Sequence, residues 1–500
     1  MNSRRKHKMN TDPDLIKFFS GTHLEKVNDN QLRLSDDKVI TFNEQQYEGI
    51  KRIREWLKTK NESIFILMGS AGVGKSTVVK KILDEYNRGV VVSAPTHKAL
   101  KVLTRISKRE GLTLQSLLGL RPDTDIDSFN PNDPIFAQIS VPKINDYNFV
   151  LIDESSMINK ELYVMIDKLI KNTNTKVLFM GDPAQAPPVG EKESYIFSEE
   201  MLANNQYYIL TIIERQNNTN PLLDIYTNLR NNLVTLDGGF LRKTIMNDKG
   251  EGAIFLINKR EFRKLVLEKF KSEEFKKDID YCRLIAWKNN TVMESNKIIR
   301  DELFGQITDI VEIGDVLMGY RSISDEKMRY NIIQNSADYK IIKRGGKIKN
   351  SYNLYGFNVT LSEEDFNGNF LYRNVFILDA NDENNLFAYA RIHDNLRDIA
   401  KANKKEWFKY YEFRRCNILL KTIDKYDNGQ IRSSYDRIVK DMDYGYSITT
   451  HKSQGSTYQH VMVLETDLNF NWSIKERNQL KYVSLTRPTK SAIILTSKLD

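Results

Sequence analysis

The chain has 500 residues, 40% hydrophobic and 28% charged, with a formal net charge of +9. That length calls for several domains with sizeable cores, and no apolar run is long enough to span a bilayer. The two cysteines, Cys282 and Cys416, lie far apart in sequence, which excludes a disulfide framework or a Cys-type zinc site and fits a reducing cytoplasm; the positive balance permits a polyanionic partner without requiring one.

Residues 1–40 have little periodicity and read as an extension, basic at its start but without the apolar segment of a secretory signal. A helix is predicted from 47 to 58, with Thr41 or Asn43 as its cap and Gln46 just ahead of it. The apolar run 64–68 predicts a buried parallel strand, and Gly69 then opens GSAGVGKST, a complete G-x-x-x-x-G-K-[ST]. Glycines in such a loop let backbone N–H groups close around phosphate oxygens at a helix N-terminus. The cradle comprises Gly69, Gly72, Val73, Gly74, Lys75, Ser76 and Thr77, with Lys75 for the terminal phosphates and Ser76 for Mg²⁺.

The β-branched run 89–94 predicts a second parallel strand, ending in Pro95, Thr96 and His97 on the rim where such sheets bind ligands. Residues 119–145 are rich in Pro, Asp and Asn and read as an insertion outside the main sheet. A strand at 149–152 ends in Asp153 and Glu154. One carboxylate suits the Mg²⁺ water shell and the other the deprotonation of a water; an acidic helix cap is the alternative. A strand at 176–180 ends in GDPAQAPPV, which holds Gln185. Strands alternating with helices indicate a doubly wound α/β domain. A second α/β pattern starts at 281, is interrupted near 312, and resumes at 446 through a closing strand at 492–496. The interruption has strands at 313–320 and 355–379 and a helical stretch at 383–427.

In this order the motifs, from Phe42 to Arg487, resemble the superfamily 1 helicases, in the SF1B branch of RecD-like and Dda-like enzymes. The resemblance implies an α/β fold of two RecA-like P-loop NTPase domains with ATP between them. Domain 1A is 41–210 with a small pin insertion at about 117–145; domain 2A is 211–311 with 441–500; an SH3-like β-barrel with a helical arm is inserted at 312–440. It further implies Gln46 as the adenine reader, Asp153 with Ser76 at Mg²⁺, and Glu154 as general base. Gln185 becomes the link between γ-phosphate and DNA, and Arg215 and Arg487 become arginine fingers beside Lys75. The implied DNA contacts are Pro95, Thr96, His97, Thr113, Gln115, Ser116, Trp287, Asn289, Thr450 and His451, with Phe136 as the aromatic of the pin; Phe129 is read into the insertion's own core, since phenylalanine is usually buried. The chain departs from the family at Gln115 (usually His), Lys288 (usually Thr) and Pro488 (usually a small residue).

The expected activity is an ATP-dependent helicase that moves 5′→3′ on single-stranded DNA and opens duplex or forked DNA. It is expected to act as a cytoplasmic monomer, with replication or recombination proteins as candidate partners. The alternatives are an RNA-directed helicase and a non-unwinding NTPase switch, the second disfavoured by two arginine fingers.

Overall fold

The computed structural model describes residues 28–33, 39–86, 88–120, 141–188, 190–213, 220–306, 309–325, 331–365, 368–424 and 437–500. Helix α1 (Glu44–Lys58) starts at Asn43, not Thr41. The Asn43 side chain accepts from the Gln46 N–H and the Gln46 side chain accepts from the Asn43 N–H, a reciprocal cap. Strand β1 (Ile64–Gly69) is buried along its whole length, as a central parallel strand must be. There follow α2 (Lys75–Glu85), β2 (Val90–Ala94), α3 (His97–Ser107), β3 (Gly111–Thr113), β4 (Phe149–Ile152), β5 (Lys176–Gly181) and β6 (Gln206–Leu210).

These strands form one parallel sheet in the order β3-β2-β4-β5-β1-β6. Side chains alternate across a strand. Phe65, Leu67, Leu151 and Leu178 therefore enter the core on one face, and Ile64, Ile66, Val150, Ile152 and Phe179 that on the other. The carboxyl ends of β1, β2, β4 and β5 share one rim, and the phosphate loop, Pro95–His97, Asp153–Glu154 and Asp182 all follow those ends.

The second unit begins with α4 (Leu222–Asn231), β7 (Ile245–Met246), β8 (Gly252–Leu256), β9 (Cys282–Ala286) and α5 (Asn289–Phe304). The chain then leaves for β10 (Val316–Gly319), β11 (Asp338–Lys349), β12 (Tyr355–Glu364), β13 (Phe370–Leu378), the helices α6 (Glu383–Ala402) and α7 (Trp407–Arg415), and β14 (Met442–Tyr444). It returns as β15 (Ser447–Thr449), β16 (Tyr458–Leu464), α8 (Ile474–Thr486) and β17 (Pro488–Leu495). The second sheet runs β15-β9-β16-β17-β8-β7, parallel except for β7.

The inserted sheet is antiparallel, in the order β13-β12-β11-β10-β14. Its two edges are joined by Ile418 and Leu419. Ile418 exchanges backbone hydrogen bonds with Phe376 and Leu378 of β13, and the Leu419 carbonyl accepts from Asp441 and Met442 at β14. The sheet thus curls on itself around a core that includes Tyr339, Phe357, Leu361, Ile377 and Phe413. Two details differ from the sequence expectation. β11 was not foreseen, and β14, placed by sequence in the second α/β unit, pairs with β10 of the insertion. Residues 121–140, with Phe129 and Phe136, lie outside the described residues, as does most of the N-terminal extension.

Candidate active site

Lys75 opens α2 and arches back over the loop it leaves, its ammonium donating to the carbonyls of Gly69 at 2.7 Å and Ser70 at 2.9 Å. Gly74 has φ +84°, and a Cβ there would lie 2.3 Å from Nε2 of Gln46. Only glycine fits that left-handed, crowded position. Gln46 is buried under the loop; its Nε2 donates to the Val73 carbonyl at 3.1 Å, and its Oε1 accepts from the Asn43 N–H at 3.2 Å. In this arrangement Gln46 braces the phosphate loop from beneath, with both ends of its amide taken by protein. Ser76 and Thr77 follow in the first turn of α2, half-buried.

Asp153 and Glu154 follow β4 on the same rim. Burial, and next the neighbouring Glu154 carboxylate, push the Asp153 carboxyl up to about 7, against the opposing pull of the Glu154 N–H and Lys75. A carboxyl so short of positive charge suits a divalent cation beside Ser76. Glu154 has φ +50°, a backbone seldom adopted outside glycine and asparagine, which marks the turn as strained.

The loop after β5 is where the two units meet. Oδ2 of Asp182 accepts from the Tyr482 hydroxyl of α8 at 2.5 Å, and Oδ1 accepts from the Ala184 N–H at 3.1 Å, with Arg230 of α4 at 3.5 Å. Burial and the Asp182 charge raise the Tyr482 pKa far above that of free tyrosine, against an opposing pull from the Ala71 N–H of the phosphate loop. The carbonyls of Gln185 and Ala186 accept from Gln479 and Gln454, each at 3.1 Å. Ala184 and Ala186 are packed inside the second unit's core, beside Tyr226 and Tyr482. Oε1 of Gln185 is buried without a hydrogen-bond partner, an acceptor left over for a water or a bound group.

Arg487 caps the far end of α8. Its guanidinium donates to the Val483 and Ser456 carbonyls and to the Thr486 hydroxyl, at 3.0, 3.2 and 2.9 Å. All three nitrogens are spent within its own unit, so the side chain is stowed and not extended into the cleft. Arg215 lies outside the described residues.

The expected nucleic-acid contacts separate by exposure. Thr96, His97, Thr113, Trp287 and His451 are half-buried, and Ser116 and Asn289 are exposed. Pro95 and Gln115 are buried. So is Thr450, whose hydroxyl is bonded to the Ala286 carbonyl at 3.3 Å and the Ser484 hydroxyl at 3.2 Å. These three side chains lie beneath the face that the half-buried and exposed groups form. Burial, with help from Lys101, holds the His97 imidazole down at about 3, and burial lowers that of His451. Both rings are uncharged near neutrality and present flat faces. The two units abut here: a Cβ on Gly455, at φ +71°, would lie 2.7 Å from Cβ of Ala99. Behind this contact Asp338 of β11 accepts from Lys98 of α3 and, at 2.9 Å, from the fully buried Arg283 of β9. One carboxylate therefore joins both α/β units and the insertion.

A family model described as an AAA domain matches residues 41–242. An uncharacterized protein, R530, of Acanthamoeba polyphaga mimivirus is 28% identical, over 90% of this chain and 98% of its own. The ATP-dependent DNA helicase dda of Enterobacteria phage T4 is 23% identical, over 89% of this chain and 97% of its own. In sequence the chain is thus similar to the Dda- and RecD-like helicases of superfamily 1B. A solved structure of Pif1 helicases at forked duplex DNA shares the fold, with a TM-score of 0.50 at 16% identity over 92% of this chain and 93% of that one.

The sequence reading missed Asp182, Arg230 and Tyr482 as cleft residues. Asp182 stands inside GDPAQ and Tyr482 inside YVSLTR, so both lay in segments already singled out. Their pairing across 300 residues of chain has no signal in either segment alone.

Proposed function

We propose that this chain is an ATP-driven DNA helicase that moves 5′→3′ along a single strand and separates duplex or forked DNA as a monomer. The observation that carries this reading is the bonded bridge from the loop after β5, next to the phosphate loop, to α8 of the second unit. A nucleotide at the loop cannot be bound or lost without loading that bridge, and each unit carries its own row of half-buried polar and aromatic groups at its strand ends. The phage relative, a DNA helicase by name, supports DNA as the polymer.

ATP is the substrate. The N–H groups of the loop and Lys75 bind its phosphates, and Gln46 holds the loop in shape while standing near enough to the α1 cap to exchange a bond for an adenine edge. Ser76 and Asp153 would hold Mg²⁺, which when bound neutralises phosphate charge. Glu154 takes the proton of the attacking water, and Gln185 offers its unused oxygen to orient that water or report its loss. Arg487 leaves its carbonyl partners for the transferring phosphoryl group, because a guanidinium bonds an anionic oxygen more strongly than a neutral carbonyl. Arg215 and the pin aromatic Phe136 keep the roles implied by resemblance, a second finger and a wedge at the fork.

Strand displacement on 5′- and 3′-tailed DNA duplexes tests this directly. Unwinding of the 5′-tailed substrate alone is expected, with ATP turnover stimulated more by single-stranded DNA than by RNA. Equal stimulation by RNA, or ATP turnover without displacement of either substrate, overturns the assignment.

A further inference from the structure

β15, β9 and β16 are neighbours in the second sheet and run parallel, so their carboxyl ends share a rim. β15 leads to His451 and β9 to Trp287; β16 leads, through a single turn at Glu465–Leu468, to the loop holding Phe470 and Trp472. Phe470 is 67% exposed and Trp472 is 91% exposed. A tryptophan almost wholly in water contributes little to any core, and exposed aromatics grouped together mark a binding surface.

The loop is firmly built. Asp467 accepts from the N–H groups of Trp287 at 2.7 Å and Lys288 at 2.9 Å, and from the Thr291 hydroxyl at 2.8 Å. Asn471 is buried and accepts from the Ser473 N–H at 2.9 Å, and Ser473 caps α8. These bonds lock the loop to the turn that carries Trp287. The Lys288 ammonium sits 3.4 Å from the Phe470 ring centre and 5.9 Å from that of Trp287. The result is a row of three aromatic rings with a cation among them and a second exposed cation, Lys475, in the next turn.

We infer that Trp287, Lys288, Phe470 and Trp472 form a stacking platform for unpaired bases, extending the grip of the second unit outward past Trp287. The inference rests on the proposed function, which makes this rim a nucleic-acid face. Ring faces stack on any base without reading sequence, and an ammonium beside them meets the backbone phosphate. Nucleic acid is favoured over a protein partner because the row continues an existing grip and its exposed charge is positive. Lys288, a departure from the family's usual threonine, then gains a use: its ammonium orders Phe470 and supplies the phosphate contact.

The test uses the full chain and a short oligo(dT), with affinity read by anisotropy over a range of salt. Trp472→Ala should bind about tenfold more weakly, a loss in the range of one stacked base. That deficit should persist at high salt, and the salt slope should stay at the parent value because no phosphate contact is removed. Trp472→Phe should keep near-parent affinity while losing much of the quenching of tryptophan emission by oligo(dT). Parent-like affinity in Trp472→Ala, with undiminished quenching in Trp472→Phe, overturns the platform and leaves the rings to a protein partner. If the parent itself fails to bind oligo(dT), the proposed function falls first and the platform with it.

Discussion

Tyr482→Phe removes one oxygen and leaves the ring where it packs. In the chain without nucleotide it strands Oδ2 of Asp182, which accepts from the Tyr482 hydroxyl at 2.5 Å. A hydrogen bond to a charged group contributes about 1.5–3 kcal/mol, equivalent to about 10- to 100-fold in the balance between joined and parted units. For an α/β unit of this size the thermal midpoint should fall by roughly 3–10 °C. A non-hydrolysable ATP analogue should restore part of that loss, because binding to the folded phosphate loop stabilises the native state while Oδ2 of Asp182 stays without its donor. DNA-stimulated kcat should drop by about tenfold or more, since α8 also carries Arg487, whereas KM for ATP should hold or fall. The assays are differential scanning fluorimetry with and without the analogue, and steady-state ATPase with single-stranded DNA. A parent-like kcat refutes the bridge, and a midpoint loss of equal size with and without analogue would mean that the hydroxyl serves packing alone.

Lys75→Ala should weaken nucleotide binding and abolish turnover, while Glu154→Gln should bind nucleotide and retain it unhydrolysed; equilibrium binding beside single-turnover kinetics separates the two. Arg487→Ala should lower DNA-stimulated turnover by about 10³ and leave nucleotide-free binding to single-stranded DNA intact, which ATPase and anisotropy would check. Gly74→Ala should lose nucleotide binding, because its Cβ would collide with Gln46 at a left-handed backbone position. Acid should destabilise the fold early. Burial holds His393 and His460 down at about 4 and His97 at about 3, so at these three sites the unfolded chain binds more protons than the folded one between pH 6.5 and 4. Their contribution to stability is full above pH 6.5 and falls as pH drops through that window, offset in part by Asp153 and Glu363, whose carboxyls burial raises to about 7. Melting curves from pH 8 to 5 would show it, and His393→Gln should flatten part of the slope.

The nucleotide site was legible because its chemistry is local. A run such as 64–68 can only be a buried strand, and GSAGVGKST fixes the turn and the helix start within a few residues. The strand-end placement of Asp153 and of GDPAQ followed from alternation of strands and helices. Strand β11 was not legible: Lys340, Lys343, Arg344, Lys347 and Lys349 flank Gly345-Gly346, so its outer half reads as loop, and it is held as strand by pairing with β10 and β12. Burial of Thr450 was hidden for a related reason. A threonine after a strand looks like a surface contact until the helix that covers it, here α8 through Ser484, is known. The brace formed by Gln46 was likewise invisible, because it depends on how close α1 lies to the loop.

The shared carboxylate of Asp338 has a mechanical consequence. Lys98, Arg283 and Asp338 come from three different parts of the molecule, and removing one partner from a buried ionic set leaves an unpaired charge at a cost of about 3–5 kcal/mol. The hydrogen bond of Tyr482 to Asp182 farther along the seam, at about 1.5–3 kcal/mol, separates at lower cost. Relative motion of the two sheets is therefore a swing about this point, not a slide past it, and displacement grows with distance from the axle. Lys98 stands just beyond the end of β2 and Asp182 just beyond that of β5, two strands away in the sheet, about 10 Å at the usual spacing. A swing of roughly 15° would then move that point by about 2.5 Å, enough to part Tyr482 from Asp182 while Lys98 and Arg283 keep their hold on Asp338.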